Sequence, residues 1–383
     1  MSDTLIGLVS QYSPSGQERG AVEWLVARMK SLGYDEAVID EAGNAIGMMG
    51  QGPQQVVLLG HIDTVLGEIP VRVETVGATR ESPLPSSTIL YGRGSVDAKG
   101  ALACFVDAVA QVGAIDGWQF VVIGAVGEER NSEGARFVAT RYKPDFAIIG
   151  EPNQWDRIAL GYKGSAWANV TVKRGQVHSA SGEQTAAEAA VEAWLKIKAY
   201  VDSFNVDKQK VFDKLLLSLR GMDSDSNDFE QWAMLKVGVR LPVTVSPEDW
   251  YGKLKELTSD SHLQGDCHLL VEPIGFAIPA WSCEKNTPLV RAFLSGIRSQ
   301  GGEPRFVYKT GTTDLNIVAP VWRCPSVVYG PGDSALDHTP NEHIDLDEYQ
   351  KAVDVLSAAL VKLTAQSRFK RDLLEESHSG QTA

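Results

Sequence analysis

YGRGSVDAKG, residues 91–100, places Asp97 in a glycine-rich turn between an extended stretch and an apolar helical run over 101–112. Three flanking runs give that turn its meaning. VVLLGHIDTV (56–65) leads into His61 and Asp63, VVIGAVGEERNSEGA (121–135) into the adjacent Glu128 and Glu129, and FAIIGEP (146–152) into Glu151. Continuous apolar runs of this kind suit strands buried on both faces of a parallel sheet, and such sheets bind ligands at the carboxyl ends of their strands. The pattern predicts one rim that gathers these polar residues, with Asp97 as a carboxylate shared by two metal ions.

Each residue has a plainer reading beside the chemical one. His61 and Asp63 are two apart at a strand end and point to one face. That suits an imidazole ligand whose tautomer is fixed by a carboxylate, against a lone histidine in a turn. Asp97 would also serve as an N-cap for a helix starting at Ala98. The surrounding Gly92, Gly94 and Gly100 permit the backbone angles that a bridging carboxylate needs. Glu128 and Glu129 repel one another unless a cation lies near, the alternative being a solvated acidic turn. Adjacent side chains diverge, which assigns Glu129 as ligand and Glu128 as general base and later general acid. His338, in GPGDSALDHTPNEH, supplies the last ligand; His343 competes with it, and spacing does not choose between them. Imidazoles and carboxylates without thiolate suit zinc, with cobalt or manganese as substitutes. Two such ions lower the pKa of a shared water towards ~7, so the reaction expected is hydrolysis, of an amide.

A chain of 383 residues exceeds the usual growth of a single core and implies two domains. Lack of an eighteen-residue apolar run argues against a membrane span. The first residues carry no basic region followed by an apolar core and cleavage site, so a cytoplasmic location is expected. Cys104, Cys267, Cys283 and Cys324 are scattered, which excludes a disulfide framework, a zinc ribbon and a thioredoxin-like motif. A net charge of −13 disfavours nucleic acid and anionic membranes as partners.

Along the chain, helical spacing over 13–32 with a Ser15 cap precedes an extended segment at 37–49 and the strand to His61. Residues 66–90 read as irregular, a loop or weak strands. A helix from Ala101, a strand from Gln119, a helix over 132–142 and a strand to Gly150 give the α/β alternation of a mixed, mainly parallel sheet flanked by helices. Residues 164–175 alternate apolar and polar as an antiparallel strand would. With a helix at 185–204, strands at 233–241 and 267–278 and a helix at 247–257, they predict an inserted α+β domain over 164–284. The α/β character then returns, so 1–163 and 285–383 form the other domain. Its last part has a helix over 287–300, strands at 305–308 and 326–330, and a helix over 346–363 before a polar tail.

SPSGQE, GHIDTV, GRGSVDAKG, GEERNSEGA and GEP, in this order, resemble the M20 family of co-catalytic zinc aminoacylases and peptidases over nearly the whole chain. The resemblance implies that His61 and Glu151 hold one zinc, Glu129 and His338 the other, and that Asp97 bridges them. It implies that Asp63 orients His61, that Glu128 is the base, and that a non-proline cis peptide follows Asp97. The inserted domain resembles the family's dimerisation or lid domain, which implies a homodimer. His178, in VKRGQVHSA, matches a histidine that reaches into the partner subunit's site to polarise the scissile carbonyl. Arg240 in VGVRLP, and Gly311 and Thr312 in KTGTTDLN, match groups that bind a substrate carboxylate.

Within the family, KTGTTDLNIVAP and VVYGPGDSALDHTPNEHI look most like the branch that releases lysine or ornithine from the C-terminal glutamate of a small acidic carrier protein, LysW. Lys208, Lys210 and Lys214 offer a basic patch for such a carrier. The alternatives are an N-acetylornithine or N-acetyl-lysine deacetylase, a dipeptidase, and a metal-free binding protein on the same scaffold. A dinucleotide site at GRGSVDAKG fails because Asp97 stands where the third glycine of G-x-G-x-x-G would be.

Overall fold

The computed structural model describes residues 2–77, 87–178, 180–259 and 268–379, with side chains as far as 365. Cys267, the first residue of one expected strand, lies outside them. The chain divides into two compact units, Met1–Leu160 with Cys283–Val307 and Ile317–Ala383, and Gly161–Ser282 with Tyr308–Asn316.

In the first unit the apolar runs pair as a central parallel set: Trp118–Ala125, Gln54–His61, Phe146–Gly150 and Ser326–Tyr329, side by side in that order. Ala45–Met49 and Glu36–Ile39 extend this sheet antiparallel beyond Trp118–Ala125. Arg157–Tyr162, along which the chain leaves the unit, joins Ser326–Tyr329 antiparallel on the other side. The fold is therefore α/β with a mainly parallel sheet. Val56, Leu58, Phe120, Val122, Ile148 and Val327 are buried in one core with Leu25, Phe105, Phe293, Tyr349 and Leu356 from the helices.

The register brings the strand ends level, since Gly60 lies opposite both Gly124 and Gly150, and Tyr329 opposite Gly150. Over this rim sits the first turn of the helix Lys99–Val112. A Cβ on Gly60 would come 3.3 Å from Leu102, and one on Gly124 3.1 Å from the same side chain. On Gly150 it would meet Ala101 at 3.2 Å, and on Gly330 the same Ala101 at 2.5 Å. A glycine thus stands within one residue of the end of each of the four parallel strands, and the missing side chains let the helix seat against the sheet and fix where Asp97 emerges.

Several elements depart from the sequence reading. The second helix is Arg19–Ser31, without a side-chain cap, because the Ser15 hydroxyl donates to the Asp63 carboxylate instead. The stretch expected as a loop or weak strands contains strands Arg72–Val76 and Ser87–Tyr91, which pair with each other, and Ser87–Tyr91 pairs in turn with His343–Asp345 in a small separate sheet. Every residue of Arg72–Val76 is exposed, so no apolar alternation marked it. Asp3–Val9 and Leu315–Trp322 are additional helices, and the last helix runs to Ser379, well past the apolar spacing that ends at Leu363.

The second unit is a four-stranded antiparallel sheet in the order Leu216–Ser226, Glu230–Leu241, Gly164–Gly175, His268–Pro273. Helices Ala186–Asn205 and Pro247–Thr258 pack on it, each opened by a capping box, Thr185 with Glu188 and Ser246 with Asp249. Val170, Val172, Ile197, Leu235, Val237 and Trp250 form its own core. Leu216–Ser226 was not expected; it is an edge strand with its last eight residues exposed. Tyr308–Asn316, which the sequence assigned to the first domain, belongs here.

The close seating of the helix on the rim predicts opposite effects for two glycine substitutions. Gly330→Ala, which must displace Ala101, should lower the unfolding free energy by about 1–3 kcal/mol in a urea titration. Gly20→Ala, at an open helical position with nothing within 4 Å, should raise it by about 0.5–1 kcal/mol.

Candidate metal centre

His61 ends its strand, Asp63 follows it, and both are buried. The His61 ring places Nδ1 3.0 Å from the Asp63 backbone carbonyl and 3.5 Å from Asp63 Oδ1. A carbonyl oxygen only accepts, so Nδ1 carries a proton and Nε2 points its remaining position at Asp97 Oδ1, 3.1 Å away. Asp63 does more than orient the ring. Its carboxylate accepts from Ser15 Oγ at 2.6 Å, from the Glu128 amide at 3.0 Å and from the Glu129 amide at 3.1 Å. One buried carboxylate therefore ties the histidine strand to the turn bearing the glutamate pair. Burial alone would raise the Asp63 pKa, but His61, Ser15 and the backbone amides hold it below the usual range.

Asp97 caps no helix. The helix starts at Lys99, its N-cap residue is Ala98 and no side chain caps it. The peptide between Asp97 and Ala98 is cis. The Val96 and Asp97 amides both donate to Glu342 Oε1, at 2.9 and 3.0 Å, while Glu342 Oε2 pairs with Arg93 at 2.8 Å. Arg93 and Glu342 are buried, so this ion pair fixes the turn from beneath. Lys99 is buried beside them and donates to the Gln11 carbonyl; burial lowers its ammonium to about 7, against the pull of Glu342 and Asp63.

His338 stands with φ 61°, a left-handed conformation that few side-chain-bearing residues adopt and that persists only where the surroundings impose it. Its Nε2 lies 3.1 Å from Asp97 Oδ2 and 3.0 Å from Glu129 Oε1. His343 is directed elsewhere: its ring packs tilted on Tyr91 at 5.0 Å, its Nδ1 donates to the Asn341 carbonyl, and among the described residues it joins no ligand cluster. Of the two histidines, His338 lies among the carboxylates and His343 does not.

Ligand atoms converge within 4.8 Å in three groups: His61, Asp97 and Glu151; Asp97, Glu129 and His338; and His61, Glu128 and Glu129. Asp97 is common to the first two. This donor set fits divalent cations. Nε2 of His61, aimed at a carboxylate oxygen, needs a second proton or a cation beyond it, and so does the space among Asp97, Glu129 and His338. The protonation behaviour expresses the same demand. Burial presses the His61 pKa down, yet hydrogen bonds to Asp63 and Asp97 leave it well above its ordinary value. Hydrogen bonds to Asp97 and Glu129 hold His338 up to about 10. Burial would raise Asp97, but the hydrogen bonds from His338 and His61 take it far below the usual carboxylate range.

The other candidate residues lie in the second unit. Arg240 is on the strand Glu230–Leu241, and its Nη1 donates to Thr312 Oγ1 at 3.2 Å, with Gly311 next to Thr312. His178 is exposed on the loop after Gly164–Gly175 and lines a cleft of about 790 Å³ with Glu183, Glu188 and Glu192. Its Nδ1 accepts from the Ala180 amide at 3.1 Å, so a neutral ring carries its proton on Nε2. Lys208, Lys210 and Lys214 flank the short turn Val211–Asp213; Lys208 pairs with Asp207 at 3.1 Å. Arg93 and Glu342 escape the sequence reading, in which Ser15 is only a helix cap. Arg93 and Glu342 are 249 positions apart, and no local pattern joins them, although both lie inside motifs already quoted.

A parallel sheet whose rim offers histidine, aspartate and glutamates, buried or half-buried, around a shared carboxylate defines the class of metal-dependent hydrolases. The chain belongs to peptidase family M20/M25/M40, whose model matches residues 57–362. Among its relatives are the LysW-lysine hydrolase of Deinococcus radiodurans, 39% identical over 369 residues covering 93% of this chain and 94% of the relative, and a putative LysW-lysine/LysW-ornithine hydrolase of Thermococcus kodakarensis, 38% identical over 357 residues, 93% and 90%. Aminopeptidase PepT of Bacillus cereus shares the fold, with a TM-score of 0.73 at 17% identity over 94% of this chain and 97% of that one. So does an M20 family metallo-carboxypeptidase of Sulfolobus solfataricus, with a TM-score of 0.69 at 17% identity over 94% and 98%.

The buried pair beneath Asp97 predicts that Glu342→Ala, which strands Arg93 without its partner, costs about 3–5 kcal/mol of stability in a urea titration. The same variant should retain less metal after gel filtration, because the two amides that hold the Asp97 turn lose their common acceptor.

Proposed function

We propose that this protein is a di-zinc amidohydrolase that releases lysine, or ornithine, from the γ-glutamyl amide at the C-terminus of the carrier protein LysW. The observation that carries the chemistry is the sharing of Asp97 between the His61–Glu151 and Glu129–His338 groups. The names of relatives 38–39% identical over nearly the whole chain support the substrate.

In this reading His61 and Glu151 hold one cation, Glu129 and His338 the other, and Asp97 both. Two divalent cations in such a site polarise the scissile carbonyl and make water acidic enough to attack at neutral pH. Glu128 takes the proton from the attacking water and returns it to the leaving amine nitrogen, which must depart as a neutral amine. Its backbone amide is anchored on Asp63, so base and ligand share one support. Asp63 and the Asp63 carbonyl keep the His61 proton on Nδ1 and leave Nε2 to bind. Arg240 and Thr312, with Gly311 leaving the approach open, bind the α-carboxylate of the amino acid to be released.

The second unit also serves as the dimerisation domain, supported by its exposed edge strand with Leu219 and Met222 and by the exposed Val191 and Leu195 on its long helix. His178, with its proton on Nε2, donates to the carbonyl oxygen in the partner subunit's site. Lys208, Lys210 and Lys214 receive the acidic carrier.

The decisive assay compares zinc-loaded protein on carrier-linked γ-glutamyl-lysine and γ-glutamyl-ornithine and on N-acetyl-lysine and N-acetylornithine. Carrier-linked substrates should turn over far faster; preference for the acetylated amino acids would replace this reading with a deacetylase, and activity on neither would favour a dipeptidase. Glu128→Gln should lower kcat by about 10²–10⁴-fold. Chelation should abolish turnover and zinc restore it, and metal-free protein with full activity would reject the metal chemistry. Replacing Lys208, Lys210 and Lys214 by alanine should raise KM for the carrier alone.

A further inference from the structure

Asn316 is fully buried at the start of the helix Leu315–Trp322 and is absent from every role assigned above. Its side chain grips three separate chain segments of the second unit. Oδ1 accepts from the Thr313 amide at 3.0 Å, and Nδ2 donates to the carbonyls of Pro279 at 2.8 Å and Lys163 at 3.2 Å, with Tyr162 O at 3.4 Å. The orientation of the amide is dictated by these partners: an N–H needs an acceptor on one side, and carbonyls need a donor on the other.

The gripped segments adjoin the Arg240–Thr312 pair. Thr313 directly follows Thr312. Lys163 leads into Gly164 and Ser165, which pair with Leu241 and Arg240, and Ser165 exchanges both backbone hydrogen bonds with Ile278, the residue before Pro279. The Asn316 side chain therefore binds the loop bearing Thr312 to the very strands against which Arg240 is held in register. A guanidinium and a hydroxyl meet at 3.2 Å only while that loop keeps its place.

We infer that Asn316 is the positioning residue that fixes the Gly311–Thr312 loop against Arg240 and thereby sets affinity for the substrate's α-carboxylate, an inference that rests on reading Arg240 and Thr312 as the carboxylate pair. It acts through these groups and touches no reacting atom. A substitution at Asn316 should therefore weaken binding of a free carboxylate selectively and leave the hydrolytic step intact.

Asn316→Asp is nearly isosteric and preserves the acceptor for Thr313, but it turns a carboxylate oxygen towards three carbonyl oxygens. Asn316→Ser removes the amide without adding charge and serves if the aspartate variant does not fold, as judged by circular dichroism. Each is assayed on the substrate turned over fastest above and on the same substrate with its α-carboxylate converted to the carboxamide. KM for the acid should rise about tenfold or more, as loss of a buried hydrogen-bonded anchor allows, while kcat and KM for the carboxamide change little. Arg240→Ala should erase the preference for the acid, and adding either Asn316 substitution to it should have no further effect on that preference. Equal losses on acid and carboxamide, or losses that add to those of Arg240→Ala, would overturn the positioning role alone. An Arg240→Ala variant that still prefers the acid would overturn the carboxylate reading and the inference with it.

Discussion

Mutual repulsion among carboxylates is the constraint that the first unit is built to withstand. Asp97, Glu128, Glu129 and Glu151 approach one another within three overlapping groups of ligand atoms, with Asp63 buried behind them. Left to themselves, such groups would swing out to solvent or bind protons. Each is restrained by a different device. Asp63 is saturated by a hydroxyl and two amides, and those amides belong to the glutamates in front of it. The backbone at Asp97 is pinned through Glu342 to Arg93. The protein thus places the Arg93 guanidinium beneath the turn, where Glu342 already neutralises it, and leaves the front of the cluster anionic. Imidazoles at His61 and His338 then complete a donor set for which a divalent cation is the natural neutralising charge.

Precision in that cluster comes from packing. A carboxylate shared by two groups must lie at one depth above the sheet, and Asp97 reaches it because the helix that follows rests on the rim with almost no intervening side chains. Gly60, Gly124, Gly150 and Gly330 supply this clearance, and three of them stand immediately before or within a few residues of a ligand-bearing segment. The hydrolytic site and the seat of the helix are consequently one piece of design. Enlarging the seat would move Asp97 relative to ligands that themselves begin at those same strand ends.

What the sequence made legible was everything whose cause is local. Apolar runs long enough to be strands, each ending at a polar residue, located His61, Glu129 and Glu151 and implied a parallel sheet, and the glycine turn marked Asp97. Cues of this sort failed where the cause is tertiary. That His338 and not His343 lies among the carboxylates depends on a left-handed backbone and on the tilted packing of His343 against Tyr91. Ser15 looked like a helix cap because its position relative to an apolar periodicity fits one, but a buried carboxylate 48 residues on captured its hydroxyl. Arg72–Val76 gave no signal, since a fully exposed strand needs no apolar face. The likeness to a known family singled out Arg240 and Thr312, which bear no local mark of the roles proposed for them.

The two units divide the chemical problem in a way their separate cores allow. The first holds charge in a rigid array, where a small displacement of any ligand alters the field on all the others. The second brings Arg240 and Thr312 together through a segment, Tyr308–Asn316, that comes from far along the chain and is bound into this unit by its last side chain. On the proposed reading of Arg240 and Thr312 as the carboxylate pair, that arrangement puts recognition on a unit with a hydrophobic core of its own. A metal array tolerates little change, so a loop tied to a different core is where substrate preference can evolve.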